Sequence, residues 1–387
     1  MSLKKVMVVG GGSAGHVTPL VAVLRELVKH HGKRKLEFFV VAEVGEDVFD
    51  PLFDEVNPKF YRIHAGKIRR FANWRWWNYI LKFHYVLLNL RDLVLVAVGF
   101  VESLALIRRL RPDVLFSKGG YVALPLGLAA AVMRVPIVTH DSDARPGLSN
   151  RLVRRWAAKR AVGMPSESEL VTYTGTPVRP EFNKVNKSSA RKKLDISVRD
   201  KLIVVVGGSL GARRVNEAVL SILKGLNERG YHVHHLGGVG DYERLRGRVK
   251  KRKFKHPGNY RLYPFVNEEL VDLYAAADLV VSRAGATTIA ELAAVARPTI
   301  FVPNHQLSDQ QANAQLIKSH EAGYVLDEKV LMADSKSLDE AIEFMLADHQ
   351  RARDYAKNLH AGFYNQYAAE QITKMITQAV ERDETTK

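Results

Sequence analysis

Short apolar runs alternate with longer segments of helical periodicity along the first half of the chain. Four runs are rich in apolar and β-branched residues, at positions 5–9, 38–41, 113–116 and 136–139. Such runs are typical of buried parallel strands. Residues 19–31 have helical spacing and begin with Pro19, which favours the first turn of a helix. Because each crossover between parallel strands needs a helix, the alternation predicts a doubly wound α/β unit.

The same pattern restarts after residue 200. An apolar run at 201–206 leads into a glycine-rich turn and then into helical periodicity over 215–228. Further strands are predicted at 232–235, 260–263, 279–281 and 298–302. We therefore expect an α/β protein with two Rossmann-like doubly wound domains facing a cleft, which is a natural place for an active site.

The composition between the two halves indicates where they join. Residues 174–200 include Pro177 and Pro180 and are rich in Lys and Ser, as a linker would be. The predicted organisation is an N-terminal Rossmann-like domain, a linker, a C-terminal Rossmann-like domain and a C-terminal helix that packs back on the first domain. Their predicted boundaries are 1–175, 176–200, 201–365 and 366–387.

Length and charge narrow the possible functions. The chain has 387 residues, which is too long for one ordinary domain and about right for two. Lys and Arg number 58 against 41 Asp and Glu, and the net charge of +17 predicts anionic partners such as phosphates, nucleic acid or an acidic membrane surface. The absence of cysteine excludes disulfides, zinc-thiolate sites and cysteine nucleophiles.

We expect neither a secretory signal nor a membrane-spanning segment. Lys4 and Lys5 lead through a short apolar run directly into glycines, without a cleavage pattern. The most apolar stretch, 79–110, is interrupted by charges, and its longest charge-free run is nine residues. A spanning helix needs about 20 apolar residues.

The first glycine turn offers an anion site and a candidate base. Residues 10–15 match the pattern G-x-G-x-x-G between a strand and a helix, where backbone amides and the helix N-terminus favour an anion. His16 follows at once, and a histidine titrates near neutral pH, so it is a candidate general base. A plain turn, with a histidine that only caps or packs locally, is the alternative.

Two more strand-glycine-helix junctions lie in the second half. The turn at 207–212 can bind a diphosphate through backbone amides and the Ser209 hydroxyl. The junction at 283–291 presents another helix N-terminus, and Glu291 could accept both hydroxyls of a ribose. A glutamate that is simply favoured by the helix dipole is the alternative. Residues 310–313 supply carboxamides suited to sugar hydroxyls, or simply the start of a helix.

Residues 59–91 form a basic and aromatic segment. They contain eight Lys or Arg, no Asp or Glu, and three of the four tryptophans of the chain. This combination suits an anionic lipid surface, where cations meet headgroups and rings lie at the boundary. A solvated basic face over an aromatic core, or a site for single-stranded nucleic acid, is the alternative. A second basic run at 244–256 predicts a solvated loop or a secondary contact for an anion.

Taken together, the junctions resemble the MurG family of bacterial UDP-N-acetylglucosamine transferases, in glycosyltransferase family 28, over nearly the whole chain. Residues 11–19 resemble its first glycine motif and 119–121 its second, on the acceptor side. Residues 175–179 are similar to its interdomain Asn-Pro-Val-Arg segment, and 208–213 resemble its Gly-Ser-Gln-Gly-Ala-Arg loop. The segments 283–291 and 310–313 resemble its donor-binding and sugar-binding helices.

The resemblance implies a GT-B fold that transfers N-acetylglucosamine (GlcNAc) from UDP-GlcNAc to lipid I, forming lipid II for peptidoglycan, with inversion. It implies that no metal is needed, although residues 141–143 match a D-x-D pair. Glu291 would hold the uridine ribose, Val266 the uracil, Arg179 the diphosphate, and Gln310 with Asn313 the GlcNAc hydroxyls. The other implied donor contacts are Ser13, Gly15, Ser209, Leu210, Gly211, Gly285, Ala286 and Thr287.

On the acceptor side the resemblance implies that His16 is the base or orients the acceptor, beside Gly119, Gly120, Tyr121, Asp141 and Asp143. The implied membrane patch is Lys67, Arg69, Arg70, Trp74, Arg75, Trp76 and Trp77, which places the enzyme peripherally on the cytoplasmic face of the cell membrane. The partners that the resemblance suggests include a cell-wall synthesis complex. No nucleic acid is expected as a partner.

The chain departs from the family at three motif positions and in the 59–91 segment, which is richer in Trp than the family norm. Residues 140–143 read His-Asp-Ser-Asp where the family usually has His-Glu-Gln-Asn, which changes the acceptor side. Ala14 replaces a glycine, and Leu210 replaces a glutamine near the donor. Other functions that fit the residues are a GT-B glycolipid synthase, a UDP-GlcNAc 2-epimerase, and a basic nucleic-acid-binding protein. An NAD oxidoreductase fits less well, because the acid that would bind the ribose lies too far along the chain.

Overall fold

The chain folds as two compact α/β units. The computed structural model describes residues 3–10, 14–32, 35–45, 53–67, 83–208 and 211–384. One unit is Met1–Val178 together with Asn365–Lys387, and the other is Arg179–Tyr364. Each contains its own parallel sheet, so the prediction of two doubly wound α/β domains is confirmed.

The first unit is built on a parallel sheet. Its strands in the described residues are β1 (Lys5–Val9), β2 (Glu37–Glu43), β3 (Lys59–Ile63), β4 (Val114–Ser117), β5 (Ile137–Asp141), β6 (Ala157–Val162) and β7 (Thr172–Tyr173). They lie in the order β3-β2-β1-β4-β5-β6-β7, and every pair is parallel. The strand order reverses between β1 and β4, and ligands of open α/β sheets bind beyond the carboxyl ends of the strands at such a point.

Helices cover both faces of this sheet. Those that connect its strands in the described residues are α1 (Ala14–His31), α2 (Phe83–Leu110), α3 (Ala123–Val132) and α4 (Leu148–Val153). Successive side chains of β1 point to opposite faces: Val6 and Val8 join a core with α1, and Met7 and Val9 join a core with α3. This two-sided burial explains why the strand is continuously apolar.

Helix α1 begins earlier than its sequence pattern predicts. The prediction started the helix at Pro19, but the helix starts at Ala14 and Pro19 lies inside it. Proline has no N–H to donate to the carbonyl four residues back, here that of Gly15, and a helix tolerates this loss best near its N-terminus.

The second unit repeats the architecture. Its strands are β8 (Leu202–Val206), β9 (His232–Leu236), β10 (Tyr260–Tyr263), β11 (Leu279–Ser282), β12 (Thr299–Phe301) and β13 (Tyr324–Val325). They lie in the order β10-β9-β8-β11-β12-β13, all parallel, with the reversal between β8 and β11. Its helices are α5 (Lys187–Leu194), α6 (Arg213–Glu228), α7 (Tyr242–Lys250), α8 (Glu269–Ala276), α9 (Ala286–Ala294), α10 (Ser308–Ser319), α11 (Glu328–Ala333), α12 (Lys336–Ala347) and α13 (His349–Phe363).

Two stretches that look like loops in the sequence are folded. The expected linker contains α5, whose N-terminus is capped by the Asn186 carboxamide accepting from the Ser189 amide at 2.9 Å. Arg191 of α5 is buried and pairs with Asp278 at 3.1 Å, which anchors the helix to the second unit. The basic run at 244–256 begins in α7, where Arg244 pairs with Glu217.

The chain then returns to the first unit with α14 (Ala368–Glu384). Its apolar side chains recur at helical spacing, with Ile372 and Ile376 in the same core as Leu20 and Leu24 of α1. None of the helices in the described ranges is long and apolar enough to cross a bilayer.

Candidate active site

The reversal point of the first sheet brings together the ends of β1 and β4, and a glycine segment follows each strand in the sequence. Beyond β1 the chain enters the first glycine turn at Gly10, and beyond β4 it enters the turn at Gly119 and Gly120. The Lys118 amide donates to the Val9 carbonyl at 2.8 Å, which ties the ends of the two strands. Gly119 and Gly120 have φ of 92° and 85°, a region that glycine adopts without strain.

Only part of the predicted first glycine site lies in the described residues. Gly15 and His16 belong to the first turn of α1. Ser13 and the side chain of His16 lie outside the described part of the structure. The role of His16 as a base therefore stays a prediction.

Tyr121 links the second glycine turn to β2. Its hydroxyl donates to the carboxylate of Glu43, the last residue of β2. The Lys67 ammonium lies 5.7 Å from the centroid of the Tyr121 ring. Lys67 is the member of the predicted membrane patch that the structure describes. The other members lie outside the described residues: Arg69, Arg70, Trp74, Arg75, Trp76 and Trp77.

A buried asparagine fixes the end of β5. The Asn150 carboxamide donates to the His140 carbonyl at 3.2 Å and to Asp141 Oδ1 at 3.1 Å. Its own oxygen accepts from Ser117 Oγ at 2.9 Å. Asp141 is therefore held in one orientation at the carboxyl edge of the sheet. Burial raises the pKa of its carboxyl, although Asn150 and Lys118 act in the opposite direction.

His140 is neutral in this network. Its Nε2 lies 3.0 Å from the Gly175 carbonyl, which can only accept, so Nε2 carries the proton. Burial, with a smaller effect from the Lys118 cation, lowers the pKa of His140 to about 3. His140 thus orders the segment before residues 141–143 without contributing charge.

Lys118 is the residue of this site that the sequence pattern did not indicate. Its side chain is 2% exposed, and its ammonium donates to Ser142 Oγ. Burial lowers the pKa of Lys118 to about 8, while the carboxylates of Asp143 and Asp141 counteract that effect. A lysine between an apolar strand and a Gly-Gly turn was the available signal, because such a lysine must end at the carboxyl edge of the sheet.

The second unit has a corresponding glycine turn beyond β8. Gly208 and Gly211 have φ of 86° and 84°, and the Gly211 amide closes the turn on the Gly208 carbonyl at 2.9 Å. A Cβ on Gly211 would lie 2.7 Å from the Gly237 carbonyl oxygen, so only glycine fits. Ser209 and Leu210 lie outside the described residues.

The junction after β11 carries a buried acid. Gly285 precedes α9, whose first residues are Ala286 and Thr287, so their amides lie at the positive end of the helix. Glu291 lies further along α9 and is 7% exposed. Burial raises the pKa of Glu291 to about 7, and the nearby Arg179 cation only partly offsets this. At neutral pH this carboxyl can therefore exchange between its acid and carboxylate forms.

Arg179 is held in place beside Glu291. Its Nη1 donates to Asn267 Oδ1 at 3.2 Å and its Nη2 to the Asn267 carbonyl at 2.9 Å. Its guanidinium carbon also lies 5.2 Å from the Phe182 ring centroid. Val266, the predicted uracil contact, directly precedes Asn267 and is buried. The structure thus brings Arg179 together with Glu291 and with the Val266–Asn267 turn.

The two carboxamides predicted to bind sugar are already engaged. Asn313 is fully buried, and its Nδ2 donates to the Ala284 carbonyl at 2.9 Å. Gln310 is partly exposed, and its Oε1 accepts from the Asn304 amide at 2.9 Å. Asn313 thus fixes the turn that leads into α9, while Gln310 orders the loop after β12.

A buried glutamate organises the carboxyl edge of the second sheet. Glu328 has no exposed surface and pairs with Arg283 at 2.6 Å, Arg214 at 3.0 Å and His305 at 2.6 Å. Burial alone would raise its pKa, but hydrogen bonds from His305 and Arg283 lower it to about 2. In the sequence, the one signal for this buried acid is Arg283, because a cation directly after the apolar strand β11 needs a negatively charged partner.

A metal site was not predicted, and residues 141–143 were the nearest match to one. Within the described residues, no three His, Asp or Glu side chains are grouped so that they could hold a metal ion.

Comparison with known proteins gives two family matches and several relatives. The glycosyltransferase family 28 N-terminal domain matches residues 6–162, and the family 28 C-terminal domain matches residues 202–374. A relative from Lachnospira eligens is 34% identical over 90% of this chain and 93% of its own length. One from Lachnoclostridium phytofermentans is 33% identical over 92% and 94%. Both are named UDP-N-acetylglucosamine--N-acetylmuramyl-(pentapeptide) pyrophosphoryl-undecaprenol N-acetylglucosamine transferase.

Solved structures share the fold. MurG from Acinetobacter baumannii aligns with a TM-score of 0.70 at 22% identity, covering 97% of this chain and 99% of that one. The calicheamicin glycosyltransferase CalG4 aligns with a TM-score of 0.66 at 14% identity, covering 99% of each chain. The family resemblance seen in the ordered glycine motifs is confirmed by these matches. The chain belongs to glycosyltransferase family 28 and is a glycosyltransferase of the GT-B fold.

Proposed function

We propose that this enzyme transfers GlcNAc from UDP-GlcNAc to the muramyl 4-hydroxyl of undecaprenyl-pyrophosphoryl-MurNAc-pentapeptide, converting lipid I to lipid II in peptidoglycan synthesis. The names of the relatives, which match about nine-tenths of this chain, support this substrate pair. The structural observation that carries the proposal is the buried Glu291 beside the fixed cation of Arg179. An acid and a cation in this arrangement suit a ribose and the diphosphate attached to it.

The donor binds to the second unit in this proposal. Glu291 accepts the two ribose hydroxyls, and Arg179 with the amides of the 207–211 turn and of α9 receives the diphosphate. Val266 contacts the uracil. Gln310 contacts GlcNAc, and Asn313 contributes by holding the Ala284 carbonyl.

The reaction is a single inverting displacement. His16 takes the proton of the muramyl 4-hydroxyl, and that oxygen forms a bond to the anomeric carbon of GlcNAc. The bond from that carbon to the diphosphate breaks on the opposite face, and UDP leaves. The negative charge that develops on UDP is stabilised by the helix N-termini and by Arg179.

In this proposal the acceptor binds to the first unit, and Lys118 positions two carboxylates of the protein that face it. The buried ammonium lies beside Asp141 and Asp143, which stand where the family usually has Glu and Asn. The second acid adds a negative charge, and Lys118 supplies the cation that balances it. Lys118 therefore acts through these carboxylates, which face the acceptor sugar.

The membrane surface is the second partner that we propose, on the cytoplasmic side. One face of α2 exposes apolar side chains at helical spacing: Leu87, Leu90, Val94, Val98 and Val101. Val94 and Val101 are 62% and 64% exposed. The opposite face of α2 packs in the core of the first unit, so the exposed apolar face is not needed to hold the helix in place. Basic residues lie nearby in sequence, Lys67 before the helix and Arg91 on it, so the surface suits anionic lipid.

The transfer reaction is tested with radiolabelled UDP-GlcNAc and a lipid I analogue, with and without EDTA. We expect labelled lipid II in both conditions, and at least a 100-fold lower rate with His16→Ala, because the base contributes about that much. His30→Ala changes a histidine of the same helix and should keep full activity. Transfer to diacylglycerol, or conversion of UDP-GlcNAc without acceptor, would instead identify the glycolipid synthase or the epimerase.

The Glu291 carboxyl predicts how donor binding depends on pH. Because its pKa is about 7, it is mostly protonated at pH 6 and mostly ionised at pH 8. An ionised carboxylate accepts hydroxyl hydrogen bonds more strongly, so UDP-GlcNAc affinity should rise several-fold over this range. Calorimetric titration measures this, and Glu291→Gln should give weaker, pH-independent binding. Glu243→Gln removes an exposed acid of the same unit and should leave the pH dependence as it was. An equal pH dependence in Glu291→Gln would assign it to another group.

The charge balance at Lys118 predicts a rescue. Lys118→Met leaves Asp141 and Asp143 without their cation, and we expect kcat/KM for lipid I to fall about 100-fold, the size of a loss of about 3 kcal/mol. Adding Asp143→Asn removes the unbalanced negative charge. The double variant should therefore have a kcat/KM for lipid I at least 10-fold higher than that of Lys118→Met alone. Lys374→Met, which breaks an exposed lysine–glutamate pair, should have no effect. Purely multiplicative losses in the double variant would contradict the coupling.

The apolar face of α2 predicts the binding to lipid. Leu90→Gln with Val94→Gln should reduce co-sedimentation with phosphatidylglycerol vesicles about 10-fold, because each glutamine removes buried apolar area from the lipid boundary. Leu170→Gln with Val198→Gln alters two other exposed apolar side chains and should have no effect. Equal binding by both double variants would show that α2 does not touch the membrane.

A further inference from the structure

The amino edge of the second sheet contains a basic cavity that the proposed reaction does not use. Its volume is about 670 Å³, within the range of small-molecule sites. Lys201, Asp278 and Arg297 line it from just before β8, β11 and β12, and α13 forms another wall. Glu291 and the glycine turns lie at the carboxyl edge of the same sheet, so this cavity is a separate site.

Positive charge dominates the lining. Five cationic side chains face two carboxylates, and the cations are Lys187, Lys201, Arg297, Arg353 and Lys357. Asp278 is already engaged, because it pairs with Lys187 at 2.6 Å and Arg191 at 3.1 Å and accepts the Leu202 amide at 2.8 Å. Asp354 accepts from the Gln350 carboxamide at 3.0 Å.

Most of these cations have no acid of their own. Within the described part of the chain, Lys201, Arg297 and Lys357 form no ion pair, and Arg353 donates only to the neutral Gln350 oxygen at 2.9 Å. Like charges that converge on one cavity repel each other at low ionic strength. An anion in the cavity would remove that repulsion.

Arg297 gives the clearest sign of a missing partner. Its Nε is buried and makes no hydrogen bond among the described residues. Burial, together with Arg191, lowers the pKa of its guanidinium, and Asp278 only partly offsets this. The position of Arg297 just after α9 favours a cation through the helix dipole, but a helix end does not satisfy the Nε–H.

The lining also has an apolar part, beside the polar side chains of His349, Gln350 and His360. Pro298, Met345, Leu346, Ala352 and Ala356 form this part of the wall. A ligand that fills the cavity would therefore combine an anionic group with an apolar group. A nucleotide and the headgroup region of a phospholipid both have this chemistry.

We propose that this cavity binds a phosphate-bearing anion, with Lys201, Arg297 and Lys357 as its main ligands. The phosphate belongs either to a free metabolite or to a membrane lipid. The proposal does not depend on the transfer reaction, since it rests on residues outside the donor and acceptor sites.

The test is a calorimetric titration of the full-length protein with inorganic pyrophosphate in the presence of saturating UDP. We expect one binding event that UDP does not displace. Lys201→Gln with Lys357→Gln should weaken it at least 10-fold, and Arg297→Gln should weaken it similarly. The matched control is Lys224→Gln with Lys336→Gln, which removes two lysines of the same unit outside the cavity and should change the affinity less than 2-fold. Circular dichroism checks that each variant folds.

The outcomes separate the possibilities. Pyrophosphate binding that UDP abolishes would overturn the proposal, because the ion would then bind in the donor site. An equal loss of affinity in the control pair would also overturn it, because the ion would then be attracted by the overall positive charge and not by this cavity. Co-sedimentation with phosphatidylglycerol vesicles identifies the source of the phosphate. A loss of vesicle binding in Lys201→Gln with Lys357→Gln indicates a lipid headgroup, and unchanged vesicle binding indicates a free ligand.

Discussion

Parallel strands bury both faces, and this one constraint determines where chemistry can lie in each unit. Side chains within β1 and β8 must be apolar because helices cover the sheet on both sides. Groups that bind ligands are therefore confined to the turns at the ends of the strands. The order of each sheet reverses once, between β1 and β4 and between β8 and β11, and the helices that start there leave free amides at the carboxyl edge. The glycine turns at Gly119 and Gly211 occupy these positions.

Opposite charges and hydrogen bonds balance the buried charges at these edges to different degrees. These differences distinguish the charged residues that hold the structure together from those that are able to bind a ligand. Glu328 has two arginines and a histidine, and its pKa falls to about 2, so it stays ionised and holds loops together. For Glu291, the Arg179 cation offsets only part of the effect of burial, and the pKa rises to about 7. A carboxyl whose charge the protein balances only in part still has the capacity to accept hydrogen bonds from a ligand. Lys118 lies between these cases, since it has a hydroxyl partner and two nearby acids.

The strand pattern and the glycine junctions could be predicted from the sequence because both depend on neighbouring residues. The apolar runs of the central strands were correct to within a few residues. The outer strands β3, β6, β7 and β13 were not predicted. Strands β7 and β13 have only two residues each. In β3 and β6, exposed or partly exposed side chains such as Lys59 and Arg160 interrupt the apolar pattern. Lys118 and Glu328 were missed for another reason: their partners lie far away along the chain and meet them only when the sheet forms. The motif predicts Asn313 as a site residue, but its contact with Ala284 could not be predicted from the sequence.

The two edges of the second sheet have opposite electrostatic character, and this explains the positions of its charges. Helix N-termini give the carboxyl edge a positive potential, which suits a diphosphate without many arginines. Helix C-termini such as that of α9 point their carbonyls toward the amino edge, where His360 Nδ1 donates to the Ala293 carbonyl at 2.8 Å. Cations at this edge are therefore expected from the architecture, but one helix end offers only about half a negative charge. Five cationic side chains against two engaged carboxylates exceed that amount. The positive charge at the amino edge is therefore more than the fold itself needs, and a bound anion accounts for the surplus.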